Sequence, residues 1–161
     1  MDAKKFLKQL QKIDKMIVNK EKEILQWQTI AESTTAKMGG ERVQSSGSHD
    51  KMADAVCKYI SIIDDVKRYR DELVQKRIDV IGTIEQLSNP YEYDILHKMY
   101  VGEEIILEDG TKYTHYCDFQ EVADSYGMSY SWATTRHGTA LKELQGILDS
   151  RKECVWKNMK I

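Results

Sequence analysis

Apolar residues recur at alternating spacings of four and three through two long stretches of this chain, and that period limits what it can fold into. The first stretch comprises Phe6, Leu10, Ile13, Ile17, Lys20, Ile24, Trp27 and Ala31, with Lys20 its one polar member. The second runs through Met52, Val56, Tyr59, Ile63, Val66, Arg70, Leu73, Arg77, Val80, Ile84 and Leu87, interrupted only by two arginines. A four-three alternation lays its residues along one stripe of an α-helix, whereas a strand alternates every second residue. The spacing therefore predicts two long helices. Thr34 to Asp50 lies between them and carries Gly39-Gly40 and a Ser/Gly cluster, which predicts a loop, with Ser48 or Asp50 as N-cap of the second helix. The simplest geometry is an antiparallel, coiled-coil-like hairpin. A helix of about 33 residues spans roughly 50 Å and is too thin to bury both faces alone. A homodimer or higher oligomer through this hairpin is expected.

Composition supports a helical reading. The chain has 161 residues, 31% of them charged, and a single proline. Its mean hydropathy of −0.58, together with the absence of any run approaching about 18 apolar residues, predicts no membrane span. The charged N-terminus lacks an apolar signal core, so a cytoplasmic location is expected. Three cysteines, Cys57, Cys117 and Cys154, cannot all pair, and reduced thiols are expected. Charge divides unevenly about Asn89. Residues 1–89 hold 16 Lys and Arg against 14 Asp and Glu, net +2, and residues 90–161 hold 8 against 12, net −4.

Beyond the seams the pattern changes. Asn89 suits an N-cap and Pro90 the first position of a helix carrying Tyr93, Leu96 and Tyr100 on one side. In Glu104–Tyr116, β-branched and aromatic residues flank Asp109-Gly110, which predicts a short β-hairpin with a type I′ turn. Asp118 then caps a helix from Phe119 to Tyr126, Gly127 ends it, and Ser129 caps a last helix running to about Asp149. The expected organisation is a helical hairpin over 1–88, a second domain over 89–150 and a tail over 151–161.

Little here suggests catalysis. The four histidines are scattered without metal-ligand spacing, and no phosphate-binding glycine loop is present. His115-Thr-Cys117 is the one close His–Cys pair, and two further ligands would have to come from elsewhere. It reads as a strand residue beside a thiol. No enzyme, cofactor or metal is expected.

Residues 118–148 are more informative. Val122 and Ala123 fall on the inner face of a short helix, Gly127 permits a left-handed turn, Met128 is placed to plug the gap between helices, and Ser129 starts the next helix. This is a helix-turn-helix pattern, in which the early turns of the second helix face base edges in the major groove. The residues so placed are Ser129, Tyr130, Ser131, Thr134, Thr135, Arg136 and Thr139. Hydroxyls there exchange hydrogen bonds with bases, and threonine methyls meet thymine methyls. Behind them Ala133, Ala140, Leu141, Leu144, Ile147 and Leu148 are expected to be buried. Only Arg136 and Lys142, with titratable His137, bring positive charge, which predicts weak duplex binding per chain. In the loop, Arg42, Gln44, Ser45 and Ser46 beside a helix start could hold an anion or a phosphate, or could simply order the hairpin tip.

Gly40-Glu-Arg-Val-Gln-Ser-Ser-Gly47 followed by Asp50-Lys-Met-Ala-Asp-Ala-Val56 resembles the signature of a family of unassigned role from phages and prophages of Gram-positive bacteria. Tyr93-Asp-Ile-Leu96, Tyr100, Val122-Ala123, Gly127-Met-Ser-Tyr130, Trp132, His137-Gly138 and Ala140-Leu141 extend the resemblance through the second half. That half also resembles region four of bacterial sigma factors. The resemblance implies a phage transcription regulator similar in layout to late-gene activators of the ArpU and RinA type. Two departures stand out: residues 101–117 insert a hairpin between helices that normally follow one another, and position 136, apolar in such relatives, is arginine.

The expected molecule is thus mainly α, a long antiparallel helical hairpin followed by a helix-turn-helix domain with a small inserted β-hairpin. Its expected role is a phage or prophage regulator recognising duplex DNA. Competing readings are a DNA-packaging adaptor of the small-terminase kind, or a module contacting RNA polymerase or another protein without DNA.

Overall fold

The computed structural model of the chain describes residues 2–36 and 47–158, with side chains placed for 2–30 and 53–151. The fold is mainly α with one small antiparallel sheet. Two long helices, α1 (Ala3–Ala36) and α2 (Gly47–Ile84), lead into the short α3 (Pro90–Leu96) and a π-helical turn, His97–Val101. Strands β1 (Glu103–Ile106) and β2 (Lys112–His115) follow, then α4 (Phe119–Tyr126) and α5 (Tyr130–Asn158). Among the described residues no helix is long and apolar enough to cross a membrane. Two compact units divide the chain: Ile13–Leu73 form one, and the start of α1 through Lys12 joins everything from Val74 onward in the other.

In the first of these units, α1 and α2 lie antiparallel. Ile13, Ile17 and Val66 are buried together, with Ile24, Tyr69 and Leu73 packed against them. Along α1 the seam from Phe6 to Trp27 is as the spacing predicts, and Ala31 lies outside the described side chains. Along α2 it is not. Tyr59, Val66 and Leu73 keep their inward places, but buried Ala55 and Ile62 and half-buried Tyr69 stand where Val56, Ile63 and Arg70 were expected. Moving the contact line back by one residue puts an aromatic ring inside and leaves the Arg70 guanidinium in water, where it reaches Glu21 of α1. Burying that charge would have cost several kcal/mol. Lys20, the polar member of the first seam, is likewise half-exposed, bonded to Glu23 at 2.9 Å and facing Asp65 at 3.9 Å. Helix α2 already begins at Gly47, so Ser48 and Asp50, expected before it, lie within it. Residues 37–46, with most of the loop signature, lie outside the described residues.

The other unit holds the larger core. Phe6, Leu7 and Leu10 of α1, Val80 and Ile84 of α2, Ile95 and Leu96 of α3, and Ala140 and Leu144 of α5 are all buried. Asn89 accepts the Tyr91 amide and Pro90 occupies the first helical position, as the sequence predicts. Specific polar contacts fasten α5 to its neighbours. Gln145 accepts the Ala3 amide at 2.8 Å, Glu143 accepts the Ser88 amide at 2.8 Å, and Arg151 donates to Thr83 Oγ1 at 2.7 Å. Helix α5 continues to Asn158, past the predicted end near Asp149, so the segment expected as a tail is largely helical.

The β-hairpin is present but its turn is wider than predicted. Ile106 pairs with Lys112, leaving a five-residue connection in place of a two-residue type I′ turn. Gly110 has positive φ, and Asp109 turns its side chain back to accept the Thr111 amide at 2.9 Å. Gly102 precedes β1 with φ 72° and ψ 177°, a conformation essentially reserved for glycine. A Cβ there would sit 2.5 Å from the His115 carbonyl oxygen.

Candidate nucleic-acid interface

Helices α4 and α5 meet through a turn held by capping bonds at both ends. Asp118 accepts the amides of Gln120 and Glu121, while Glu121 reaches back to the Asp118 amide, a reciprocal capping box. At the other end Gly127 adopts φ 62°, ψ 30°. The Met128 amide bonds Ala123 O at 3.0 Å and the Gly127 amide bonds Asp124 O at 3.1 Å, the paired bonds of a Schellman motif. Ser129 then caps α5, its Oγ accepting the Trp132 amide at 3.2 Å. Val122, Ala123, Ile95 and Ala133 form the core beneath, with Met99, Cys117, Phe119, Tyr126 and Trp132 packed around them. Two small alanines on facing helices let the backbones approach closely. Met128, expected to plug this gap, is 51% exposed. The Schellman bonds turn its side chain outward, and the space is filled by an aromatic trio of Tyr91, Tyr126 and Trp132 with ring centroids 5.4–6.0 Å apart.

A second anchor fixes α3 to α4. The Tyr126 hydroxyl donates to Asp94, which also binds Lys98 at 2.9 Å. Burial pushes the Asp94 carboxyl up, but these two donors outweigh it and hold the group below the usual carboxylate range. Burial and the same carboxylate raise the Tyr126 phenol. Lys98 additionally lies 4.7 Å above the Tyr126 ring, so its charge is engaged.

On this frame the start of α5 faces outward. Tyr130 is 54% exposed, its ring edge-on to Phe119, and Ser131 and Thr135 are exposed beside it. Thr134 is only half-exposed, and both threonine hydroxyls donate to Ser131 O, at 3.0 and 2.8 Å, leaving their lone pairs and methyls toward any ligand. Two expected contacts are otherwise engaged. The Thr139 hydroxyl lies 2.7 Å from Glu92 Oε1 and 2.8 Å from Arg136 O, sharing one hydrogen between them. The Arg136 guanidinium, although partly exposed, lies 3.6 Å from the same Glu92 oxygen. Glu92, only 5% exposed, is therefore a buried carboxylate that draws Arg136 of α5 inward.

His137 adds no charge. It is buried against Tyr100, whose hydroxyl is 2.9 Å from Nε2, and its other neighbour is the Phe119 ring. Burial, with a smaller contribution from Lys4, lowers its pKa from the ordinary histidine value, so it is neutral near pH 7. Arg42, Gln44, Ser45 and Ser46 lie outside the described residues. Neither Glu92 nor Asp94 was singled out as a site residue from the sequence: the Tyr126 and Thr139 hydroxyls that bind Asp94 and Glu92 are 32 and 47 residues away, and only the fold brings them together.

No protein-family model, curated protein or solved structure matches this chain.

Proposed function

We propose that this protein binds duplex DNA through α4, the Gly127 turn and the start of α5, and regulates transcription of phage or prophage genes. The observation that carries this reading is the outward presentation of Tyr130, Ser131 and Thr135 on the first turns of a capped helix, behind a helix held by a glycine turn. Those groups are uncharged. They suit contact with base edges and thymine methyls more than with phosphate. With Arg136 drawn to Glu92 and His137 neutral, phosphate attraction from one copy is small, which favours action as an oligomer or beside a partner already on DNA.

The test is fluorescence anisotropy of the full chain on random-sequence duplex at low salt, followed by mapping of bound sites during prophage induction. Salt-sensitive binding that weakens in Tyr130→Ala and Thr135→Ala supports the reading. Absence of binding at low salt, where even non-specific binders retain affinity, overturns it.

A further inference from the structure

We propose that His115, Cys117 and Glu121 form a binding site for a zinc-class divalent cation that clips the second strand of the hairpin to helix α4. The three come from different local structures: the last residue of β2, the connecting segment, and the first turn of α4. Their candidate ligand atoms all lie within 4.8 Å of one another, and His115 Nε2 is already 3.1 Å from Glu121 Oε1. A zinc ion with bonds of about 2.0–2.3 Å brings its ligands to roughly 3.5 Å from one another, so side-chain rotations alone complete the approach.

What distinguishes this group from a chance cluster is how firmly each member is aimed. The capping box binds Glu121 Oε2 to the Asp118 amide at 2.7 Å, fixing the carboxylate and leaving Oε1 directed at the histidine. The Cys117 amide donates to Lys98 O at 3.1 Å, which pins the connecting segment. His115 is held in register opposite Glu103, and its carbonyl packs against the bare Cα of Gly102. Such outer contacts are what orient ligands in metal sites. The ligand set selects the ion class. A thiolate with an imidazole and a carboxylate suits zinc or its cobalt analogue and is a poor match for magnesium or calcium, which take oxygen.

The electrostatics agree. The carboxylates of Glu121, Glu103 and Asp118 act on the Cys117 position, with Lys98 opposing them. The same carboxylates make the pocket favourable for a cation, whose arrival displaces the thiol proton. Three protein ligands leave at least one position for water. His115 and Cys117 are half-buried and Glu121 is exposed, so that position opens to solvent.

The test uses the full chain, stripped with chelator and titrated with Co²⁺ and then Zn²⁺. The expected result is a single ion per chain with a thiolate-to-cobalt charge-transfer band. That band persists in Cys57→Ser/Cys154→Ser, disappears in Cys117→Ser, and in His115→Gln or Glu121→Gln requires at least tenfold more metal. Circular dichroism confirms that each variant folds. Independently of any variant, Zn²⁺ should protect Cys117 but not exposed Cys57 from alkylation in the native chain, read by peptide mass. A folded native chain in which zinc leaves Cys117 alkylation unchanged overturns the proposal, as does a thiolate band that survives Cys117→Ser.

Discussion

Replacing Glu92 by glutamine asks whether this domain restrains its own arginine. Glu92 is buried, with Oε1 accepting from Thr139 at 2.7 Å and facing Arg136 at 3.6 Å. Glutamine keeps an oxygen in that place, so Thr139 keeps its acceptor and the negative charge facing Arg136 is lost. Two unit charges at this separation attract by about 4–5 kcal/mol at an effective dielectric near 20. The partly exposed guanidinium recovers most of that from water, so the net loss of folding stability is about 1 kcal/mol. Binding should change the other way. An arginine released to a phosphate steepens the dependence of log K on log salt by about 0.9. Between about 1 M and about 0.1 M salt that slope is worth roughly eightfold in affinity, about 1.2 kcal/mol. Anisotropy titrations on one duplex over a salt series, for the native chain and Glu92→Gln, measure both quantities, and urea unfolding measures the stability. A folded variant with native affinity and native slope would refute the restraint of Arg136 by Glu92.

Gly102→Ala should destabilise the chain by about 2–4 kcal/mol in urea unfolding, because alanine is strained at this backbone conformation and its methyl meets the His115 carbonyl. Gly127→Ala, at a left-handed position with open space around it, should cost only about 1 kcal/mol by the same measurement. For His137 the folded pKa lies below the unfolded value of about 6.5, so the unfolded state takes up the proton first. Its contribution is complete above that value and is lost as pH falls through the folded pKa; urea midpoints should show the native chain losing stability on acidification from about pH 6.5 more steeply than His137→Gln. Thr135→Ala should weaken DNA binding with stability changed by less than about 0.5 kcal/mol, whereas Arg136→Ala should cost about 1–3 kcal/mol in addition, since it strands the buried Glu92 carboxylate.

What the sequence disclosed and what it hid follow from the range of the interactions. Local rules sufficed for the caps at Asn89, Asp118 and Ser129 and for the turn at Gly127, because each is decided within a few residues. The helix period was equally plain, but its phase along α2 was not. Val56, Ile63 and Arg70 and their neighbours Ala55, Ile62 and Tyr69 both satisfy a four-three rule, and the choice falls to whichever set leaves Arg70 in water beside Glu21. The hairpin's existence was legible and its turn was not, since the strands part at Ile106 and Lys112 and Asp109 closes the connection with a side-chain bond to the Thr111 amide. At the interface, exposure of Tyr130 and Thr135 was readable from the period, while Glu92 was not. A glutamate in the first turn of α3 is an ordinary dipole-favoured residue until folding sets it against Arg136 and Thr139.

The balance of charge around α5 constrains how the proposed activity reaches useful affinity. Asp118, Glu121 and Asp124 crowd α4, and Lys98 and Arg136 are both paired with acids. On the proposed reading a single copy therefore gains little from counterion release, and its binding rests on uncharged contacts to base edges. Such contacts discriminate between sequences but do not hold a protein on DNA at physiological salt. Joining copies changes this, because the second module then binds at the effective concentration set by the linkage, and the weak terms multiply. The helices have apolar surface to spare for such joining: Leu25, Val56 and Ile60 are exposed in the unit spanning Ile13–Leu73, and Val74 and Ile78 in the other. On the proposed reading, then, specificity resides in the first turns of α5 and affinity in the number of copies. A chain that bound tightly as a monomer would have to draw its phosphate contacts from outside the helix-turn-helix.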